Sequence, residues 1–319
     1  MINNDKILHP GAYRFTVDEP FNGMRLDQYL AEISESFTLS LANRIIDLGG
    51  AHLAGRRVRS SSQPVTTGEQ IEVFVDRQPL EAMKLDVNRI LYRDKDLIVI
   101  DKPAGMATQP APSRYQGTLY AELQNLLKDP HQKDNRPSIG MVQRLDLDTS
   151  GVMVFSIHKR AHKNMSEAFL GRDVRKLYWA LVAGHPAEAS GRFSSQLAKR
   201  RSTNLMVSVE RGGKQAETLY RLLQQLNGAS LVEVELLTGR SHQIRAHFSE
   251  AGMPLLGDAT YGGPQFIDDF IVPRQMLHSR TLSFVHPVSG MQMNFTAAPP
   301  DDFVTVLKHV DGCLNGIDV

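Results

Sequence analysis

From residue 89 onwards, short apolar stretches with a strand-like pattern are mixed irregularly with segments of helical periodicity. The strand-like stretches cover residues 97–100, 152–157, 176–182 and 231–237, and the helical ones 118–127, 159–170 and 241–250. A strict alternation of strand and helix would favour a doubly wound parallel sheet, whereas an irregular order with hairpin-like stretches favours antiparallel pairing. The pattern therefore predicts an α+β fold with a mixed, largely antiparallel central sheet flanked by helices.

A separate, smaller pattern occupies residues 21–76. Apolar residues at helical spacing predict a helix over residues 24–34, and Ser40 is expected to cap a second helix that ends at Gly49-Gly50. An alternating strand follows around residues 71–75. We therefore expect an N-terminal extension over 1–20, a small αβ domain over 21–76, a linker over 77–88, and a larger domain over 89–319.

Composition indicates an ordinary globular protein. Of the 319 residues, 41% are hydrophobic and 22% are charged. The sequence contains no run of 18 apolar residues, its N-terminus is polar, and Cys313 is its single cysteine. These features favour a reducing cytoplasm without membrane association and exclude a disulfide-dependent fold.

The net charge of +1 does not by itself indicate a nucleic-acid partner. Positive charge is nevertheless clustered, which is what phosphate binding requires. The clusters are Arg56, Arg57 and Arg59; Lys159, Arg160, Lys163, Arg172, Arg175 and Lys176; and Lys199, Arg200 and Arg201. Each cluster could equally be a solvated surface, so composition alone leaves both interpretations open.

The densest polar segment of the chain is Gln143-Arg144-Leu145-Asp146-Leu147-Asp148-Thr149-Ser150-Gly151. Two carboxylates and an arginine between apolar stretches can form a reactive site, although a plain turn capped by aspartates would have the same pattern. The Asp-Thr-Ser-Gly stretch lacks the second aspartate loop that an aspartic protease needs. Pattern alone does not decide between a site and a turn.

Residues 143–151 resemble the motif His-Arg-Leu-Asp-x-x-Thr-Ser/Thr-Gly of the RluA-type pseudouridine synthases. Further segments resemble motifs of that family in the expected order, over roughly residues 21–305. These are Asp101-Lys102-Pro103-Ala104-Gly105, the strand from Arg175 to Gly184, Thr238-Gly239-Arg240-Ser241-His242-Gln243-Ile244-Arg245, Pro254-Leu255-Leu256-Gly257-Asp258, Tyr261-Gly262, His278 and His286-Pro287. Residues 21–76 resemble the RNA-binding module named after ribosomal protein S-four.

The resemblance implies isomerisation of uridine to pseudouridine in structured RNA, with three catalytic residues. Asp146 would act on the ribose as nucleophile or base, Arg245 would keep that carboxylate ionised through an ion pair, and Tyr178 would stack on the uracil and manage its carbon-five proton. No metal and no cofactor is expected, because the reaction involves neither redox chemistry nor net hydrolysis. His158 and His162 have helical spacing but lack the acidic residue of a zinc site.

Five further residues are assigned to substrate binding: Arg144, Arg240, Lys102, His242 and Gln143. Arg144 would wedge into the RNA where the target base leaves its stack, and its alternative is a salt bridge with Asp148. Gln143 replaces the usual histidine of the motif and cannot carry charge, which alters the expected pH response.

The expected substrate is ribosomal RNA of the large subunit, with tRNA as the alternative, and the protein is expected to be a monomer. Two rival functions remain: a non-catalytic RNA-binding or ribosome-assembly protein, and a hydrolase that acts at an anomeric carbon. The first does not explain Asp146, Tyr178 and Arg245, and the second expects a second carboxylate.

Overall fold

The computed structural model describes residues 9–129, 137–171 and 173–311, so Arg172 and Cys313 lie outside the described residues. The chain divides into two compact units. The smaller unit contains residues 9–85 and 106–129, and the larger contains residues 86–105 together with the described residues from 137 onwards.

Six α-helices lie in the described residues: α1 Leu26–Ile33, α2 Leu39–Leu48, α3 Leu119–Leu126, α4 Lys159–Gly171, α5 Gln243–Glu250 and α6 Asp301–His309. Short 3-10 helices cover Glu19–Phe21, Val87–Arg89 and Ala259–Tyr261. Among these described helices, none has the length and apolar character needed to cross a bilayer.

Seventeen strands lie in the same residues. They are β1 Gly11–Thr16, β2 Ala51–Leu53, β3 Arg56–Arg57, β4 Gln70–Val75, β5 Ile90–Arg93, β6 Leu97–Lys102, β7 Gly140–Met141, β8 Ser150–Ser156, β9 Arg175–Ala183, β10 Ser190–Lys199, β11 Met206–Val209, β12 Lys214–Gln225, β13 Ala229–Leu236, β14 Phe266–Ile267, β15 Phe270–Ile271, β16 Leu277–Val285 and β17 Gln292–Thr296.

The smaller unit contains a four-stranded antiparallel sheet in the order β1-β4-β2-β3 together with α1 and α2. Buried side chains from both helices and from the sheet form its core, among them Leu30, Ile46 and Val73. The predicted helix cap was wrong: Thr38, not Ser40, accepts a hydrogen bond from the amide of Leu41, so α2 begins at Leu39. Its predicted end is confirmed, since Gly49 adopts the left-handed conformation with φ of 87°.

The bounds of this unit are wider than residues 21–76. Strand β1 lies before that range and pairs with β4 along its whole length. Residues 106–129, with α3, also belong to the unit, and buried Arg114 of that segment is ion-paired with Asp76. Sequence periodicity did not indicate this because the segment is separated from residues 21–76 along the chain.

The larger unit is built on an 11-stranded sheet with the order β11-β10-β12-β13-β9-β16-β8-β6-β5; β17 pairs with β16 and β7 with β8. Every pairing is antiparallel except that of β16 with β8, where His278 lies opposite Ser150. The predicted α+β class with a mixed, largely antiparallel sheet is confirmed. Strand β8 is fully buried along its length, as its apolar run predicted, and it begins directly after the polar segment 143–149.

Candidate active site

The segment from Val142 to Thr149 forms the loop between β7 and β8, and its backbone is fixed from inside the protein. The backbone oxygen of Leu147 accepts hydrogen bonds from the amide of Gly105 at 3.1 Å and from Nζ of Lys102 at 2.9 Å. The backbone oxygen of Asp148 accepts one from Nη1 of Arg274 at 2.9 Å. The two residues that follow Asp146 in the loop are therefore anchored through their backbone oxygens.

The guanidinium of Arg245, on α5, forms the ion pair with Asp146 that the sequence suggested. Its Nη1 donates to Oδ2 of Asp146 at 3.0 Å, although the two residues are 99 positions apart. Asp258 binds the opposite edge of the same guanidinium, accepting from Nε at 2.7 Å and from Nη2 at 2.8 Å. Burial would lower the pKa of Arg245, but the two carboxylates raise it above its ordinary value, so the cation is permanent.

His242 lies beside the same carboxylate. Its Nε2 is 3.8 Å from Oδ1 of Asp146, and its Nδ1 shares a hydrogen bond of 3.1 Å with the hydroxyl of Tyr261. Burial lowers the pKa of His242, while the Asp146 charge partly opposes that shift. The ring is therefore neutral at neutral pH, so the approach to Asp146 is not an ion pair. The backbone at His242 is left-handed, with φ of 51°, which is uncommon for a residue with a side chain and fits a functional position.

Helix α5 is aligned by Gln243. Its side-chain oxygen accepts from the hydroxyl of Thr238 and the amide of Arg240, and its amide nitrogen donates to Glu217 and Thr218. All of its hydrogen-bonding capacity lies within the protein. Gln243 therefore fixes the start of the helix that carries Arg245 and leaves no group free for a ligand.

Tyr178 comes from β9 and is almost fully buried, with 5% of its surface exposed. Burial, which disfavours the phenolate, is the main cause that raises the pKa of Tyr178 to about 12, and the charge of Asp146 adds to the shift. At neutral pH the phenol is protonated. It can donate a hydrogen bond, but it is not a base in the free protein.

These side chains line one cleft that is open to solvent. Its lining includes Asp146, Thr149, Tyr178, His242 and Arg245. The hydroxyl of Thr149 is buried and has no hydrogen-bond partner in the described structure. The cleft therefore combines the carboxylate of Asp146, the guanidinium that is ion-paired with it and the neutral phenol of Tyr178.

Of the residues assigned to substrate binding, Arg144 and Arg240 line this cleft and His242 joins them. Arg144 is exposed and donates to the hydroxyl of Ser241 at 3.3 Å; the alternative salt bridge with Asp148 is not formed in the described structure. Arg240 is half-buried and donates from Nε to the backbone oxygen of Gln215 at 2.9 Å.

The other two lie elsewhere. Lys102 is fully buried and donates to the backbone oxygens of Pro103 and Leu147, which argues against a contact with substrate and corrects that expectation. Gln143 is half-buried and does not line the cleft, and its Nε2 has no hydrogen-bond partner in the described residues. A match to a motif shows that a residue type recurs at a position, but it does not show whether that residue contacts the substrate or supports the fold from inside.

Sequence reasoning assigned no role to Asp258, Tyr261 or Arg274. Asp258 and Tyr261 stand in segments that match family motifs, so a signal existed, but motif order does not show which side chains meet. The ring of Tyr261 lies 4.9 Å from the guanidinium carbon of Arg245, on a third side of that group.

One group in the described residues has side chains that could hold a metal: Asp94, Asp96 and His286, whose ligand atoms lie within 4.8 Å of one another. Asp96, however, already forms a bidentate ion pair with Arg160 at 2.6 and 2.8 Å, and Asp94 accepts from Tyr92 and two backbone amides. A cation of the protein therefore already occupies one of the two carboxylates of this group. His158 and His162 do not form a metal pair, since His162 is hydrogen-bonded to Ser138 and Ser156.

The three basic clusters differ in how much charge they leave free. Arg160, Lys163 and Arg175 are ion-paired with acidic neighbours, and Lys176 is buried. Lys199, Arg200 and Arg201, by contrast, are exposed at the turn after β10 and form no ion pair within the described part of the chain. Lys199 is close enough to His242 to contribute to the lowering of its pKa.

In the smaller unit, Arg56 and Arg59 are exposed. The guanidinium of Arg59 lies 4.0 Å from the centre of the Tyr115 ring, and that of Arg57 lies 5.5 Å from it. Arg57 also donates to the backbone oxygen of Ala111 at 2.6 Å. The ring attracts the guanidinium above it, so this contact helps to hold Arg59 in place.

Comparisons with known proteins identify relatives along most of the chain. Residues 96–250 match a family model described as RNA pseudouridylate synthase. An uncharacterized RNA pseudouridine synthase of Synechocystis sp. is 33% identical over 293 residues, which cover 90% of this chain and 89% of the relative. Ribosomal large subunit pseudouridine synthase D of Xanthomonas campestris is 35% identical over 298 residues, covering 90% of this chain and 88% of the relative. The protein of the same name from Yersinia pestis is 33% identical over 309 residues, with coverages of 92% and 93%.

Solved structures are similar as well. The human RNA pseudouridylate synthase domain containing 4 superposes with a TM-score of 0.58 at 28% identity, covering 70% of this chain and 93% of that one. The human RNA pseudouridylate synthase domain containing 1 gives a TM-score of 0.55 at 27% identity, with coverages of 70% and 89%.

Proposed function

This chain belongs to the RluA-type RNA pseudouridine synthases, which makes it an RNA-modifying isomerase, and on that premise we propose that it converts specific uridines of large-subunit ribosomal RNA to pseudouridine, with Asp146 as the reacting carboxylate. The observation that carries the proposal is the placement of Asp146 at the cleft, with the permanent cation Arg245 at 3.0 Å.

The reaction breaks the bond between the anomeric carbon of ribose and the ring nitrogen, turns the uracil, and rejoins it through carbon five. A carboxylate can assist by attacking the anomeric carbon or by removing the neighbouring sugar proton. Either role uses the charge of the carboxylate, and a cation held beside Asp146 interacts favourably with that charge. Arg245 supplies that cation without itself titrating.

Tyr178 is suited to the uracil. Its ring lines the cleft, and its protonated hydroxyl can donate a hydrogen bond to a carbonyl oxygen of the base. The proton on carbon five must be removed by a base. The phenol of Tyr178 is protonated at neutral pH, so it could act as that base only after losing its own proton during the reaction.

The target nucleotide must leave its stack to enter the cleft, at a cost of roughly a few kcal/mol. Arg144 is exposed two residues before Asp146, and its guanidinium donates one long hydrogen bond, of 3.3 Å, to Ser241 in the described residues. It is therefore free to move into the space that the base vacates. The exposed Lys199, Arg200 and Arg201, and in the smaller unit Arg56 and Arg59, would bind phosphates of a folded RNA.

We favour large-subunit ribosomal RNA because two relatives at 33–35% identity over nine-tenths of the chain carry that substrate in their names. The same reaction on tRNA is the alternative. Pseudouridine mapping in cells that lack this protein separates them: lost sites in large-subunit ribosomal RNA support the proposal, and sites lost only from tRNA contradict it.

The reaction itself is tested by incubating the purified protein with RNA from such cells. The RNA is then digested to nucleosides, which are separated by chromatography. We expect pseudouridine to increase and uridine to decrease by the same amount, with no change in mass. Release of free uracil would indicate a hydrolase, and unchanged nucleosides with intact RNA binding would indicate an assembly factor.

A further inference from the structure

The two carboxylates on Arg245 bind it in different ways. Asp258 takes two donors along one edge of the guanidinium, Nε and Nη2, and is almost fully buried with 1% of its surface exposed. Asp146 takes a single donor, Nη1, through Oδ2. Oδ1 of Asp146 has no hydrogen-bond donor in the described residues, and Nε2 of the neutral His242 ring lies 3.8 Å from it.

Asp258 is itself held firmly. Its Oδ1 also accepts from the amide of Tyr261 at 3.2 Å, which caps the short helix Ala259–Tyr261. The preceding Gly257 has a φ of +75°, and a Cβ there would lie 1.9 Å from the backbone oxygen of Arg274. The backbone that presents Asp258 therefore has little freedom to follow a moving arginine.

A guanidinium prefers to bind a carboxylate through two parallel hydrogen bonds, which would occupy both oxygens of its partner. If the Nε–Nη2 edge were free, Arg245 could turn and bind Asp146 in this way. Both oxygens of Asp146 would then be hydrogen-bonded, and neither would be free to approach ribose.

We propose that Asp258 is a positioning residue: its two bonds to the Nε–Nη2 edge fix the orientation of Arg245, hold that arginine to its single Nη1 contact with Asp146, and so keep Oδ1 of Asp146 available to the ribose. The inference rests on the proposed function, in which Asp146 reacts. It assigns Asp258 no contact with RNA.

The test is the Asp258→Asn variant, which keeps the shape of the side chain and replaces one acceptor with a donor that Arg245 cannot bind. We expect kcat for pseudouridine formation to fall about 100-fold, the size of effect typical of a misplaced reacting group. KM for the RNA should change by less than about threefold, since the phosphate-binding residues are untouched. Asp258→Glu retains a carboxylate and should recover at least about tenfold of the lost kcat, because two acceptors again face the edge.

Asp96→Asn is the matched control. Asp96 is also buried, with 5% of its surface exposed, and it forms a bidentate pair with the more exposed Arg160. It lies in the turn between β5 and β6 and does not line the cleft. Loss of the Asp96–Arg160 ion pair should lower the urea concentration at the midpoint of unfolding, while kcat stays within about twofold of the parent. A comparable loss of kcat in both variants would overturn the proposal, because it would show a general effect of lost ion pairs.

A crystal structure of Asp258→Asn gives a readout that does not depend on the reaction. The proposal requires Arg245 to have turned so that both oxygens of Asp146 lie within hydrogen-bond distance of it; an Arg245 that keeps its single contact overturns the proposal. If Asp258→Asn does not fold, Arg245→Lys replaces it, because an ammonium group cannot present separate edges to two carboxylates. There we expect kcat to fall at least about tenfold, and parent-level kcat overturns the proposal.

The two ways of failing are distinct. A parent protein that forms no pseudouridine contradicts the proposed function, whereas an active parent with equal kcat in Asp258→Asn contradicts this inference alone.

Discussion

The ammonium group of Lys102 donates to the backbone oxygen of Leu147, the residue after Asp146, at a distance of 2.9 Å. Arg274 makes the equivalent contact one residue further on, at the oxygen of Asp148. Two buried basic side chains thus bind successive carbonyl groups of the loop that carries the reacting carboxylate. The position of Asp146 is therefore set by the backbone behind it as well as by Arg245 in front.

Lys102 should make the stability of the protein depend on pH in a defined window. Burial is the main cause that lowers its pKa from 10.5 to about 7, against the raising effects of Asp148, Asp146 and Asp101. Between pH 7 and 10.5 the unfolded chain binds more protons at this residue than the folded one, so its contribution to stability increases with pH. In Lys102→Met that contribution is absent. Urea unfolding from pH 7 to pH 9.5 should show the parent gaining stability relative to the variant, by on the order of 1 kcal/mol per pH unit.

Two curves that stay parallel across that range would contradict this account of Lys102. A fall in the stability of the parent relative to the variant would contradict even its sign.

Arg274 should matter for both folding and catalysis. It is buried, pairs with Asp302 of α6 at 2.6 and 2.9 Å, and donates to the oxygens of Asp148, Gln275 and Leu277. Arg274→Met leaves these groups unpaired, so we expect unfolding free energy to fall by about 2–4 kcal/mol, less than for a fully enclosed pair because Asp302 is partly exposed. The remaining folded protein, assayed at low temperature, should have reduced kcat because the Asp146 loop has lost one anchor. Parent-level kcat would show that Lys102 alone suffices.

Tyr178→Phe separates the ring from the hydroxyl. We expect RNA binding to persist, because the ring still packs in the cleft, while product formation slows by roughly 10- to 100-fold through loss of one positioned hydroxyl. Since the pKa of Tyr178 is raised to about 12, its ionisation should cause no alkaline change in kcat below pH 10. Rate profiles of parent and variant should therefore have the same shape up to that pH. An alkaline limb that disappears in the variant would contradict the neutral phenol.

Gln143→His tests the departure from the family motif. A histidine titrates near pH 6.5, whereas glutamine does not titrate. We expect the variant to remain active, because Gln143 does not line the cleft, and to acquire a pH dependence of kcat/KM between about pH 5.5 and 7.5 that the parent lacks. Identical profiles for both proteins would show that this position does not influence the reacting groups.

The parts of the fold that sequence predicted well are those with strong local patterns. The helix predicted over 24–34 is present as α1, and the apolar run at 97–100 is the first part of β6. In both segments the spacing of apolar residues shows which side chains are buried. The cap of α2 was misplaced by two residues, since Thr38 and Ser40 offer the same hydroxyl. The parallel pairing of β16 with β8 joins residues 128 positions apart, and no local pattern indicates it.

The candidate site shows the same limit. Asp146 and Arg245 were placed together through the resemblance, and the 3.0 Å contact agrees with that expectation. Lys102 was assigned to substrate binding because its segment resembles a motif of the family, whereas its complete burial depends on how β6 enters the sheet, which the motif does not show. The double contact of Asp258 with Arg245 depends on the path of residues 251–258, which periodicity does not describe.

The most direct test of the central claim is single-turnover conversion of substrate RNA by Asp146→Asn, measured beside the parent and beside Asp148→Asn. The two variants remove one negative charge each from the same loop, but the side chain of Asp148 does not line the cleft. We predict that Asp146→Asn binds the RNA with parent affinity and converts it at least ~10⁴-fold more slowly, as expected for loss of a reacting group. Asp148→Asn should stay within about tenfold of the parent. Conversion by Asp146→Asn at the rate of the parent would contradict the assignment of this carboxylate and with it the proposed mechanism.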